Sequence, residues 1–312
     1  MPDNKYQRNL EEQVLNTLLY FDIFNYPLKA SEIFKFLKTK LNTVEDLTGC
    51  LNELAGRKYI FAFGDFYSLE NSEEPVKRRI RGNAEAGRWM PVALKKAQFI
   101  SRFPFVRAVL ASGSLSKGYM DENSDLDFFI VTAPGRMWIA RTLLVLYKRI
   151  FLLNSHKQFC VNYFVDSDHL EIEEKNLFTA TELITLVPLC DYASYRAILR
   201  SNPWVAGFFP NFRPQIARED NDRQGRHLKK VSELLLTPVA QLLDRFFMAL
   251  TFRRWNKMYA SRYSRADFAI AFKTRRYVSK NHPNHYQKKI LERYDRKIEE
   301  FRNRLPQPSM YE

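Results

Sequence analysis

Apolar residues recur at Leu10, Val14, Leu15, Leu18, Leu19 and Phe21, a helical spacing with one broad face that Tyr26-Pro27 interrupts. The same spacing predicts short helices over residues 31–37 and 43–54. The second opens on Thr43 with Asp46 three positions on, in the manner of a capping box. The pattern then changes to short β-rich runs, 59–63 and 66–69, around Gly64-Asp65, which predicts a tight hairpin. Three helices and a hairpin predict a winged-helix-like domain over residues 1–75. Its expected recognition helix carries Glu45, Asp46 and Glu53, which phosphates would repel. A structural or protein-contacting role is therefore expected ahead of DNA binding.

Residues 76–101 predict a basic helical lead-in bearing Lys77, Arg78, Arg79, Arg81 and Arg88. These cations read as a solvated face, with contact of the arginines to a triphosphate or a polyanionic substrate as the alternative. Next an apolar run (Val106, Ala108, Val109, Leu110, Ala111) ends at Gly113-Ser114. A ten-residue polar loop follows, and Asp125-Leu126-Asp127 opens a second run, Phe128-Phe129-Ile130-Val131. Both runs read as buried strands. Alternation along a strand puts Asp125 and Asp127 on one face, about 7 Å apart. Two such carboxylates repel and are costly to bury. A divalent cation resolves that conflict, Mg²⁺ best of all and Mn²⁺ next, because it takes one or two carboxylates and completes its shell with water and phosphate oxygens. Gly113 would admit a phosphate close to the backbone, Ser114 would offer it a hydroxyl and an N–H, and Lys117 would add charge.

Ser112-Gly113-Ser114, ten residues, then Asp125-Leu126-Asp127-Phe128 resembles the signature of the DNA polymerase β-like nucleotidyltransferase superfamily. The resemblance implies that Ser114 contacts the triphosphate of an NTP and that Asp125 and Asp127 hold the metals. It also implies a third carboxylate on the strand beside Asp-x-Asp. That strand reads as residues 159–165, and the corresponding residue is Asn162, whose amide oxygen can ligate a metal but cannot help to neutralise its charge or act as a base. A hairpin returning through Leu170-Glu171-Ile172-Glu173 would bring Glu171 or Glu173 to the same face as substitute ligands.

Between these strands, residues 136–153 predict an apolar helix, giving a strand–helix–strand crossover. Residues 178–199 read as helix interrupted at Pro188, and residues 213–226 as a domain boundary. The remainder is helical in pattern. Thr237-Pro238 reads as a helix start, and Val239, Leu242, Leu243, Phe246, Phe247 and Leu250 form a wide stripe. The stripe is expected to pack on the nucleotidyltransferase domain, with an interfacial membrane helix ending in Arg253-Arg254 as the alternative. Glu233, Asp244 and Arg245 make residues 231–252 too polar for a spanning helix, so no transmembrane segment is expected. Lys273, Arg275, Arg276 and Lys280 around Tyr277 suggest a grip on phosphates or a nucleic-acid strand. His282 and His285 lack the companions of a zinc site.

The expected fold is thus α+β. A small mixed-sheet nucleotidyltransferase domain (76–212) lies between the winged-helix-like domain and a basic helical C-terminal domain (213–312). Charge sharpens this picture. The chain of 312 residues carries a net +14, and residues 226–304 alone hold twenty Lys and Arg against seven Asp and Glu, which favours an anionic acceptor or nucleic acid there. Cys50, Cys160 and Cys190 sit in apolar surroundings as free thiols of a reducing compartment, and no secretory signal opens the sequence, so a cytoplasmic protein is expected.

The functional expectation is Mg²⁺-dependent transfer of an NMP from an NTP to a hydroxyl or phosphate acceptor, with release of pyrophosphate. A nucleotide- or nucleic-acid-binding regulatory protein with weak or no catalysis is the alternative that Asn162 favours. A glycosyltransferase, whose Asp-x-Asp also binds a metal nucleotide, is disfavoured by the Gly-Ser pair upstream.

Overall fold

The computed structural model describes residues 2–153, 159–214, 226–281 and 285–304. The chain begins with α1 (Pro2–Asp22), β1 (Leu28–Lys29), α2 (Ala30–Phe36), α3 (Thr48–Gly56), β2 (Phe61–Phe63) and β3 (Phe66–Ser68). These strands form a three-stranded antiparallel sheet in the order β1-β3-β2. Gly64 turns the β2–β3 hairpin with φ +59°. The predicted third helix begins later than Thr43. A 3₁₀ turn over Glu45–Leu47 precedes α3, and Asp46 accepts from the N–H groups of Asn42 and Thr43 at 3.0 and 3.1 Å.

The long α4 (Glu74–Ser101) leads into β4 (Val106–Ser112), the single turn α5 (Gly113–Ser116), β5 (Asp127–Thr132), α6 (Met137–Phe151) and β6 (Cys160–Asp166). After these come α7 (Leu177–Thr185), β7 (Val187–Cys190), α8 (Tyr192–Ser201), α9 (Arg226–Leu236), α10 (Ala240–Tyr259), α11 (Arg265–Ala271), β8 (Val278–Lys280) and α12 (Tyr286–Arg304). The central sheet has five strands in the order β7-β4-β5-β6-β8. Only β5 and β6 run parallel, because α6 carries the chain back between them. Alternate residues of β4 and β5 enter separate cores. Ala108, Leu110, Phe129 and Val131 pack with the N-terminal helices, whereas Val109, Ala111, Phe128 and Ile130 pack with α4, α6 and α10. A sheet covered on both faces explains why these strands read as continuous apolar runs.

Several expectations change. The interruption expected at Pro188 is more than a break in a helix: Pro188 lies in β7, an edge strand of the sheet between α7 and α8. Residues 170–173 form no returning strand, because β6 pairs instead with β8, which arrives from the C-terminal region. Residues 213–312 therefore contribute a strand to the central sheet, in addition to helices. Thr237-Pro238 lies in the turn between α9 and α10, where the Thr237 hydroxyl donates back to the Glu233 carbonyl at 2.7 Å. Most of the expected boundary over 213–226 lies outside the described residues.

Candidate functional site

The turn from β4 into α5 is fixed by one close approach. Ser112 lies opposite Asp127 in the β4–β5 ladder. Gly113 follows with φ +65°, and a Cβ there would stand 2.4 Å from Asp127 Oδ2. Both the backbone angle and the carboxylate exclude any side chain at this position. The Gly113 turn and the acidic strand end are thus in contact.

The polar loop after α5 is pinned from α4. The Met120 N–H donates to the Gly82 carbonyl at 3.0 Å, and the Tyr119 ring occupies the space that a side chain at Gly82 would need. Arg78 stacks on Tyr119 at 4.8 Å and pairs with Asp121 at 3.2 Å. Asp121 in turn accepts from the Asn123 N–H and the Ser124 hydroxyl, which shapes the approach to Asp125. The Tyr26 hydroxyl donates to the Lys117 carbonyl from the N-terminal unit.

Asp125, Asp127, Gly113, Ser114, Lys117 and Asn162 all line one cavity of about 870 Å³. Its walls also include Tyr20 of α1 and Phe24 just after it, Phe178 and Glu182 of α7, and Tyr286 and Leu291 of α12. The cavity therefore lies where the N-terminal, central and C-terminal segments meet. Asp127 is pushed up to about 6, first by burial and then by the charges of Asp125 and Glu182, against the opposing effects of Cys160 and Lys117. Lys117 Nζ spans the cradle, donating to the Gly113 carbonyl at 3.1 Å and to Glu182 Oε1 at 2.8 Å.

Asn162 sits where β6 bulges against β5, and its Nδ2 donates to Asp127 Oδ1 at 3.5 Å and to Cys160 Sγ at 2.7 Å. The neighbouring-strand position beside Asp127 is thus occupied by an amide. Glu171 and Glu173 do not join the cavity. Glu171 pairs with Lys175 at 2.7 Å, while Glu173 meets Lys273 at 2.9 Å and accepts from the Tyr277 hydroxyl at 3.2 Å. The physical reason is the absent hairpin: without a return strand, Ile172 and Glu174 line the cavity instead, while Glu171 and Glu173 are held by their ion pairs.

Glu182 is the residue that sequence reasoning missed. Its one signal was a lone carboxylate in α7, surrounded by Ala180, Leu183 and Ile184. Among the described residues no three His, Cys, Asp or Glu side chains converge into a metal cluster.

The other basic groups divide sharply. On α4, Lys77, Arg81 and Arg88 pair with Glu73, Glu74 and Glu85 at the surface. Arg79 is buried, bonded to Glu32 at 2.6 Å and stacked on Tyr26, where it ties α4 to the N-terminal unit. Only Arg78 of that series reaches the cavity. The expected grip around Tyr277 does not stay together: Arg275 and Arg276 are exposed, whereas both lysines are buried and Lys280 lines the cavity. Lys273 is buried between Glu173 and Glu174, and Lys280 is buried in β8, bonded to Gln287 at 3.0 Å. His285 stacks on Tyr263, and His282 lies outside the described residues.

The family described as nucleotidyltransferase domain matches residues 94–184, which run from α4 through the cradle to Glu182 and Ile184 in α7. No curated protein and no solved structure matches the chain.

Proposed function

We propose that this chain, which carries a nucleotidyltransferase domain of the DNA polymerase β-like kind over residues 94–184, transfers an NMP from an NTP to an acceptor hydroxyl or phosphate and releases pyrophosphate. The observation that carries this reading is the contact of Gly113 with Asp127, which sets a side-chain-free turn against the acidic strand end. Ser114 and the α5 backbone would hold the β- and γ-phosphates. Lys117 would exchange Glu182 for phosphate oxygen, leaving Glu182 free to take the acceptor's proton.

The donor set suits Mg²⁺, or Mn²⁺ in its place. Asp125 and Asp127 bring excess negative charge, felt in the raised Asp127, and the absence of a three-ligand cluster among the described residues favours a cation that arrives with the nucleotide and takes phosphate oxygens. When bound, that cation would neutralise the triphosphate and polarise the α-phosphate.

Equilibrium titration of labelled NTPs with Mg²⁺ or Mn²⁺ tests the assignment. D125A/D127A should abolish binding while leaving the melting transition cooperative, and unchanged affinity would overturn the reading. Asn162 favours a second reading, a nucleotide-binding protein without turnover. Incubation with labelled NTPs, Mg²⁺ and cell extract separates the two, since only the enzyme yields pyrophosphate and a labelled product.

A further inference from the structure

Helix α9 turns two charged side chains toward the protein, Lys229 and Glu233: Glu233 accepts from the Phe105 N–H at 2.7 Å and pairs with Arg107 at 2.8 Å. Lys229 donates to the Ser101 carbonyl at 2.9 Å and also to that of Val106. All its apolar side chains but Leu236 face outward, with Leu228, Val231, Leu234 and Leu235 exposed by 80, 55, 74 and 74%. Leu228, Val231 and Leu235 share one stripe at i, i+3 and i+7.

Helix α10 repeats the arrangement. Ala240, Asp244 and Trp255 are buried, and Asp244 accepts from the N–H groups of Trp138 and Ile139 at 2.7 and 3.2 Å. On its other side Leu242, Phe246 and Leu250, four residues apart, are exposed, and Val239 in the connecting turn is exposed too. Leu243 and Phe247 do pack inward, so the wide stripe read from the sequence is divided between core and surface. Burying polar groups while leaving a row of Leu and Phe outside is unfavourable in water. It becomes favourable only if something apolar meets that row.

Charge identifies the occupant. Residues 226–262 contain two acidic residues, Glu233 and Asp244, and both are engaged toward the protein. The exposed charges are all positive, at Lys230, Arg245, Arg253, Arg254, Lys257 and Arg262. A second copy of the chain would bring the same cations against these, and a nucleic acid would leave the leucines uncovered. An anionic bilayer satisfies both features. No single helix among the described residues is long and apolar enough to cross a membrane. The pair His227–Leu236 and Ala240–Arg262 reaches that length and apolarity only together, with a bend of 85°.

We propose that α9 and α10 seat this chain on the surface of an anionic lipid bilayer. Leu228, Val231, Leu235, Leu242 and Phe246 enter the boundary between headgroups and acyl chains, while Arg253 and Arg254 meet lipid phosphates.

Sedimentation of the full chain with vesicles tests this. Vesicles of phosphatidylcholine with phosphatidylglycerol should carry the protein down, phosphatidylcholine alone should not, and high salt should release it. L235E/F246E should weaken vesicle binding about a hundredfold, and R253E/R254E about tenfold, both with NTP affinity and melting temperature unchanged. The proposal is overturned by no sedimentation, by equal sedimentation of L235E/F246E, or by a solution dimer that the same variant dissolves. Retention on vesicles after salt and alkaline washing would equally overturn it, in favour of an embedded, broken span.

Discussion

On the β4 side of Asp127 stands Gly113, which has no side chain, and beyond it the N–H groups and hydroxyl of the Ser114 turn. On the β6 side stand Asn162 and Cys160, both neutral and both hydrogen-bonding toward the same carboxylate. On the proposed function, the first flank would receive an anion at close range, and the second would quieten the carboxylate that would hold the cation. Recognition and proton transfer would therefore, on the same proposal, be built from different parts of the molecule. The turn and strand end would supply the first from adjacent chain, whereas a base for the second would come from α7, where Glu182 lines the cavity and pairs with Lys117.

The division is most severely tested at Asp127 itself. D127N should lower pyrophosphate release by about a thousandfold, because it removes charge from the point where transition-state charge is balanced. G113A tests the anion flank: its Cβ would press on Asp127 and its φ would be strained, and turnover should fall about a hundredfold with NTP affinity reduced alongside. E182Q should reduce the rate by about a hundredfold while NTP affinity holds. If E182Q instead keeps full activity, the acceptor needs no base from α7 and the comparison loses its second half.

N162D probes the quiet flank. A third carboxylate there should tighten Mn²⁺ binding in the absence of nucleotide by about tenfold, read by paramagnetic relaxation. The smallest effect is with pH. Asp127 titrates near 6 in the fold, above its ordinary 3.8, so folding favours its protonated form. Acidification through about 6 should therefore stabilise the metal-free protein modestly and weaken metal–nucleotide binding, and D127N should flatten both trends.

How much of this was legible depends on how local the cause is. Gly113, Ser114, Asp125 and Asp127 could be read directly because a strand, a turn and a strand fix their relations within twenty residues. The Asn162 position was legible for the same reason, as the end of one crossover. Glu171 and Glu173 were misplaced because choosing the partner of β6 is a long-range decision, and β8 carries no pattern that announces it. Glu182 was invisible in role because only packing of α7 against the cradle brings it to Lys117. The stripe on α10 could not be oriented from sequence either. Apolar residues surround that helix, and buried Asp244 and Trp255, not hydrophobicity, decide which side turns inward.

The pairing of β6 with β8 also constrains how the molecule is made. Tyr163, Phe164 and Val165 meet Lys280, Ser279 and Val278 across more than a hundred intervening residues. Closing so long a loop is slow compared with forming the β4–β5 pair, so the nucleotide cradle should form before its sheet is complete. Until β8 docks, β6 presents an open apolar edge to any other strand nearby. During refolding, a chain truncated before residue 278 should keep that edge exposed and aggregate where the full chain does not.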